Sequence, residues 1–358
     1  MKHVLVTGGA GFIGSNFVRR LSEKHPEACA VVLDSLTYAG NLDNLEGVDR
    51  GKYVFVEGDV ADEKKVGWVF ETLNIDTVVH FAAESHVDRS IHDPGAFIRT
   101  NITGTFVLLE AARKAWGKRT DVRFHHVSTD EVYGSLGPKD PAFKETTPYD
   151  PSSPYSASKA AADHLARAYF RTYKLPVTIS SCSNNYGPNQ YPEKLIPVII
   201  LNALEGRELP VYGDGKQVRD WLYVVDHCDA ILEILEKGEL GETYNIGGDC
   251  EKENIWIVKQ ICGLLDGMKP LIVGGGFCPR EQLIRHVPDR PGHDRRYAID
   301  FGKIYSNLGW QPAHKMWDGL KKTIQWYLDN EKWVKGVRER GGHAEWMKKN
   351  YELRGQNG

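Results

Sequence analysis

A chain of 358 residues, 41% of them hydrophobic, can bury a large core and suggests two domains rather than one. Its 45 Lys plus Arg against 48 Asp plus Glu leave a formal charge of −3, which gives no support for nucleic-acid or membrane binding. Six cysteines without a Cys-x-x-Cys pair, and no histidines at metal-ligand spacing, point to reduced thiols in a cytoplasmic protein without a metal. No apolar run approaches the ~20 residues of a membrane span. Met1-Lys2-His3 runs straight into a strand pattern, so no signal peptide is expected.

Val4-Leu5-Val6 reads as a short buried strand, followed at once by Thr7-Gly8-Gly9-Ala10-Gly11-Phe12-Ile13-Gly14. The glycines fit G-x-G-x-x-G and its variant with Gly8, Gly11 and Gly14. Early glycines allow a tight turn and close approach to a pyrophosphate, and Gly14 lets the helix pack on the strand. The position between a strand and the amphipathic Phe12 to Leu21 gives the pattern its weight. The second strand, Ala30 to Leu33, ends in Asp34. A carboxylate there accepts from a ribose 2′-OH and repels a 2′-phosphate, so NAD is favoured over NADP. A solvated strand-end aspartate is the plain alternative.

Alternation continues with a strand Tyr53 to Val56, a helix Glu63 to Leu73, a strand Thr77 to Phe81, a helix Gly104 to Trp116 and a strand Phe124 to Val127. This order predicts a doubly wound parallel sheet of Rossmann type, with ligands at the carboxyl ends of the strands. Asp59-Val60, Ala82 to Ser85 and Ser128 to Glu131 lie at those ends. The last stretch sets two hydroxyls before adjacent carboxylates, Asp130 and Glu131.

Pro151-Ser152-Ser153-Pro154 then starts a helix that runs to about Tyr173 and places Tyr155 and Lys159 on one face. A phenol ionises near ~10, and a neighbouring ammonium is expected to draw it toward the working range of a base. A surface Tyr–Lys pair is the alternative. Tyr212-Gly213-Asp214-Gly215-Lys216 has the same spacing, but its glycines predict a turn.

Pro176 to Ser180 reads as another strand, and from Asn184 the chain becomes richer in Pro and Gly. The expected division is a dinucleotide-binding domain over 1–183 plus about 220–248, and a smaller mixed α/β substrate domain over about 184–219 plus 249–358. Trp221 to Val225 is expected to return to the first sheet, with Asp226 capping a helix through Leu235. Thr243 to Ile246 reads as a strand and Ile255 to Leu265 as a helix. Arg219, Arg290, Arg295 and Arg296 are candidates to clamp a diphosphate, since guanidinium forks match phosphate oxygens. The tail from about Glu331, with Trp333 and Trp346, is expected to pack only in part.

With Gly8 to Gly14, Asp34, Tyr155 and Lys159 in place, the chain resembles the extended short-chain dehydrogenase/reductase superfamily. The adjacent acids of Thr129-Asp130-Glu131 resemble its nucleotide-sugar 4,6-dehydratase branch. Asp34 to Asn41, Ala82 to Ser90, Asn184 to Pro188, Arg219-Asp220-Trp221 and Asp289 to Tyr297 are similar to the members acting on dTDP-glucose. The resemblance implies a lyase that oxidises C4, eliminates water across C5 and C6 and reduces C6. Thr129, Asp130, Glu131, Tyr155 and Lys159 would be catalytic.

The same resemblance implies NAD held by Gly8, Gly11, Phe12, Ile13, Gly14, Asp34, Ser35, Leu36, Thr37, Asp59, Val60, Phe81, Ala82, Ala83, Glu84, Ser85, Thr100, Tyr155, Lys159 and Asn185. It implies substrate contacts from Ser85, Thr129, Asn184, Lys194, Leu195, Pro210, Val211, Tyr212, Arg219, Asn254, Asp289, Arg290, Pro291, Gly292, His293 and Tyr351. A homodimer pairing the helices near Thr103 to Trp116 and Tyr155 to Tyr173 is also implied. The alternatives are a dehydratase of UDP- or GDP-linked sugars, an NAD-dependent 4-epimerase or decarboxylase, and an idle NAD-sensing protein on the same fold.

Overall fold

The computed structural model describes residues 1–340 together with Gly342, Glu345, Trp346 and Lys348. Seven strands form one parallel sheet: β1 His3–Thr7, β2 Cys29–Asp34, β3 Tyr53–Glu57, β4 Thr77–His80, β5 Arg123–Thr129, β6 Val177–Cys182 and, at the edge, β10 Thr243–Ile246. Their order, β10-β6-β5-β4-β1-β2-β3, reverses direction between β1 and β4, which opens a ligand crevice at the carboxyl ends.

Strand periodicity sends alternate side chains to opposite faces. Val4, Val6 and Val32 join a core with the helices Phe12–Lys24 and Val224–Lys237. Leu5, Val31 and Leu33 join the other core, under Glu63–Thr72, Gly104–Trp116 and Pro154–Tyr173. The first turn is as tight as the sequence implies: Gly8 has φ +67°, and a Cβ on Gly14 would stand 2.2 Å from the Gly8 carbonyl oxygen. The helix before Trp116 begins earlier than expected, with Pro94–Phe97 and a six-residue π segment, Ile98–Thr103, inserted ahead of Gly104. Such insertions re-aim a helix face, here at the crevice.

A second core lies beyond β6. Here β7 Asn184–Tyr186, β9 Val218–Tyr223 and β11 Glu251–Glu253 form a three-stranded sheet, and β8 Leu209–Tyr212 pairs in parallel with Ile284–Val287. Trp221 therefore does not return to the large sheet; it pairs with Asn184 on β7. An apolar run cannot state which sheet it joins, because pairing is non-local. Leu222 still packs in the first core, whereas Trp221 and Tyr223 pack in the second. Val224 and Val225 already belong to the helix, and Asp226 sits inside its first turn rather than capping it. Its carboxylate instead accepts from the His314 backbone N–H (2.9 Å) and contacts the His314 ring (2.7 Å). Tyr212 to Lys216 forms the expected turn, with positive φ at Gly213 and Gly215.

The tail packs more fully than expected as far as it is described. Trp333 is buried and donates its indole N–H to Asn44 Oδ1 (2.7 Å). Trp346 is buried as well, with the Arg89 guanidinium 4.3 Å from its ring. All six cysteines are free.

Candidate active site

The carboxyl ends of β1, β2, β4 and β5 and the loops of the second core enclose one cleft of about 530 Å³. One end of it is built by β5, which delivers Thr129, and by a single turn, Asp130–Tyr133, that follows. The facing wall is the Pro154–Tyr173 helix. Its start is set by a capping box, in which the Ser153 side chain accepts from the Ser156 N–H and Ser156 Oγ accepts from the Ser153 N–H, with Pro154 in the first turn. Tyr155 in that first turn and Lys159 one turn on both enter the cleft.

The tyrosine is not in the state expected from the lysine alone. Burial pushes its hydroxyl well above the ordinary value, the Glu131 carboxylate adds to this, and a hydrogen bond with Thr129 acts the other way. Lys159 instead donates to the Val127 carbonyl (2.7 Å), and burial lowers its ammonium to about 8 while Asp163 opposes that fall. A charge one helical turn away does not outweigh the loss of water around a phenol.

The two carboxyls stand in different surroundings. Burial raises Asp130 well above its ordinary value, and the Glu131 and Asp220 carboxylates raise it further. Burial also raises Glu131, but Arg290, Lys194 and Arg219 pull it back toward the charged form. One is thus disposed to hold a proton and the other to accept one, as an acid and base pair requires. The Thr129 hydroxyl accepts from the Glu131 N–H (3.3 Å) and lies 3.4 Å from Asp130 Oδ1.

The other end of the cleft fits a dinucleotide. Gly8, Gly11 and Gly14 line it, and a Cβ on Gly8 would stand 2.8 Å from the Ala82 nitrogen. Asp34 is buried in its wall, accepting from the N–H groups of Ala10 (3.0 Å) and Leu36 (2.9 Å). Of the expected cofactor residues only Leu36 does not line the cleft; its positive φ and its N–H shape the Asp34 loop. Thr100 reaches the cleft from the π segment.

Of the expected substrate residues, Ser85, Thr129, Asn184, Lys194, Leu195, Pro210, Val211, Tyr212, Arg219, Asn254, Arg290 and His293 line the cleft. Pro291 and Gly292 lie outside its wall, and so does Asp289, whose carboxylate holds His293 (2.5 Å) and Gln217 (2.8 Å) from behind. Tyr351 lies outside the described residues. Arg219 is buried, 4.2 Å from the Tyr297 ring. Arg295 and Arg296 do not join it: exposed Arg295 pairs with Asp214 and the largely buried Arg296 with Glu251, so they serve as cross-links and do not line the cleft. Sequence reasoning missed His86, Asp88, Tyr191, Glu193, Trp221 and Tyr297 as cleft residues. All except Tyr191 and Glu193 lie in stretches already singled out; Glu193 is buried against Arg89 and Tyr38, which no local pattern announces.

Fold and cleft together define an extended short-chain dehydrogenase/reductase. Residues 5–323 match the family described as GDP-mannose 4,6 dehydratase. A dTDP-glucose 4,6-dehydratase of Neisseria gonorrhoeae is 57% identical over 336 residues, covering 92% of this chain and 96% of that protein. One from Escherichia coli K12 is 53% identical, over 98% and 99% of the two chains. The crystal structure of dTDP-glucose 4,6-dehydratase from Bacillus anthracis in complex with NAD superposes with a TM-score of 0.83 at 46% identity, covering 94% of this chain and 100% of that one. UDP-glucose 4-epimerase of Thermus thermophilus, also with NAD, is more distant at 29% identity and a TM-score of 0.80, over 92% and 99%. The chain belongs to the dTDP-glucose 4,6-dehydratase family.

Proposed function

We propose that this protein converts dTDP-glucose to dTDP-4-keto-6-deoxyglucose and water, and that the acid pair Asp130–Glu131 carries the elimination. The C5 proton of glucose is not acidic until C4 is a ketone, so oxidation comes first. Bound NAD supplies the acceptor for the C4 hydride and the hydride that ends on C6. Gly8 to Gly14, Asp34 and the β4 end at Phe81 to Ser85 would hold it. Tyr155 takes the proton of the C4 hydroxyl, and Thr129 holds the same oxygen. Glu131 removes the C5 proton, now beside a carbonyl, while Asp130 protonates the departing C6 hydroxyl; once C6 is reduced, Glu131 returns a proton to C5. The supporting observation is the contrast between these carboxyls: burial, then the Glu131 and Asp220 carboxylates, push Asp130 well up against Arg219 and a Thr129 hydrogen bond, whereas three cations, Arg290, Lys194 and Arg219, oppose the burial of Glu131. Arg219 and Arg290 would meet the diphosphate.

The reaction returns the electrons it takes, so purified protein should turn over without added cofactor. Offering dTDP-, UDP- and GDP-linked glucose or mannose separates the readings. The expected result is the alkaline absorbance of a 4-keto product with dTDP-glucose above all; a C4-inverted sugar with no keto product would refute dehydration.

We further propose a cytoplasmic homodimer, with the Gly104–Trp116 and Pro154–Tyr173 helices of two chains packed together. Phe106 (40% exposed) and Tyr173 (51%) lie on these helices as large apolar or aromatic groups facing solvent. A solution mass of a single chain, or recovery outside the cytoplasmic fraction, would refute this.

A further inference from the structure

The helix that carries Tyr155 and Lys159 continues the same spacing with Asp163 and Arg167, so four chemistry-bearing side chains follow one another down one face. Asp163 is fully buried and lies behind the cleft, not in its wall. Its Oδ2 accepts from Ser128 Oγ (2.8 Å) and from the Tyr149 hydroxyl (2.7 Å). Its Oδ1 lies 3.1 Å from Nε2 of the equally buried His126. Ser128 is the residue directly before Thr129, Asp130 and Glu131. Lys159, one turn earlier on the helix, grips the neighbouring residue through the Val127 carbonyl. The end of β5 is thus fastened to the helix at two successive residues, and the three that follow it project into the cleft.

We propose that Asp163 is a positioning residue for the dehydratase: it holds Ser128, and through it the Thr129–Glu131 turn, in register with Tyr155, and places a fixed negative charge beneath Lys159. The inference rests on the function proposed above and adds to it a residue that touches neither substrate nor cofactor. Other groups do not compensate for the charge in the same way. Burial and the nearby Lys159 lower His126 to about 4, so it faces Asp163 as a neutral ring. Burial works to raise Asp163, but His126, Lys159 and Tyr149 hold it below its ordinary value, as a carboxylate. Arg167 bonds to the network at the Tyr149 hydroxyl (2.6 Å) and its charge adds to the lowering of His126. Tyr133, on the turn after Glu131, also feels the Asp163 charge. Around Lys159 itself stand His80 and His126, both lowered by burial, and the Cys182 thiol, raised by burial to about 12. Among these, Asp163 is the anion at neutral pH.

Two variants of the full chain test this, with Lys159 read directly by the pH dependence of its acylation by acetic anhydride, mapped by peptide mass spectrometry. In the native chain the labelling midpoint should lie near 8. In Asp163→Asn it should fall by about one pH unit or more, and the alkaline limb of kcat should move down with it. Ser128→Ala keeps the charge and removes the tether: the labelling midpoint should stay, while kcat falls roughly 10- to 100-fold with KM nearly unchanged. A native midpoint and native alkaline limb in Asp163→Asn, or native kcat in Ser128→Ala, would overturn the proposal. Should Asp163→Asn fail to fold, kcat of Ser128→Ala decides alone. If the chain proves not to be a dehydratase, the labelling midpoints still report whether Asp163 governs Lys159.

Discussion

Glu131→Gln is expected to oxidise C4 and then stop, lowering kcat by about 10²- to 10⁴-fold. The amide keeps the size of the side chain and removes its basicity. Glu131 faces Arg290, Lys194 and Arg219, which favour its charged, proton-accepting form. Asp130 is a poor substitute as the base: burial and the Asp220 carboxylate still push it upward, toward its protonated form, once Glu131 is an amide. Single-turnover absorbance of reduced nicotinamide should therefore rise and persist, whereas deuterium at C5 of the substrate should not wash out into water. Unimpaired wash-out would assign the C5 proton to another base.

Tyr155→Phe should fail one step earlier, with a kcat loss of about the same size and neither the absorbance rise nor C5 exchange. The contrast between the two variants separates the base for C4 from the base for C5. Burial holds the Tyr155 hydroxyl above its ordinary value, so phenolate forms only as far as nearby positive charge supports it. Lys159, lowered to about 8, loses that charge as the pH rises through this value. The native rate should accordingly decline on the alkaline side, from the loss of the ammonium and not from ionisation of the phenol. A Tyr155→Phe chain that still oxidised C4 would leave Thr129 or a water as the base.

Much of this site could be read from the sequence because its parts are local. The strand, glycine turn and helix at Val4 to Leu21 are adjacent in the chain, and so are the acid pair and the capped start of the Tyr155 helix. The crevice at the strand ends followed from alternation, and its dinucleotide from Gly8 to Gly14 and Asp34. What was misread depends on pairing across long separations. Trp221 to Val225 has the composition of a buried strand wherever it lies, and only its register with Asn184 reveals the smaller sheet. Of the four candidate arginines, Arg219 and Arg290, the two expected to touch substrate, line the cleft, while Arg295 and Arg296 find Asp214 and Glu251 away from it. The tyrosine's acidity was misjudged for a related reason: helical spacing gives the Lys159 neighbour but not the depth of burial or the Val127 carbonyl that holds it.

The strand β9 has a mechanical consequence. Leu222 lies at 0% exposure among the side chains of one half, and Trp221 and Tyr223, at 7% and 6%, among those of the other. Swinging the halves apart at this beam would bring large side chains into water, at about 1.5–3 kcal/mol for each one fully exposed. A clam-shell opening to admit a sugar nucleotide would have to offset this exposure.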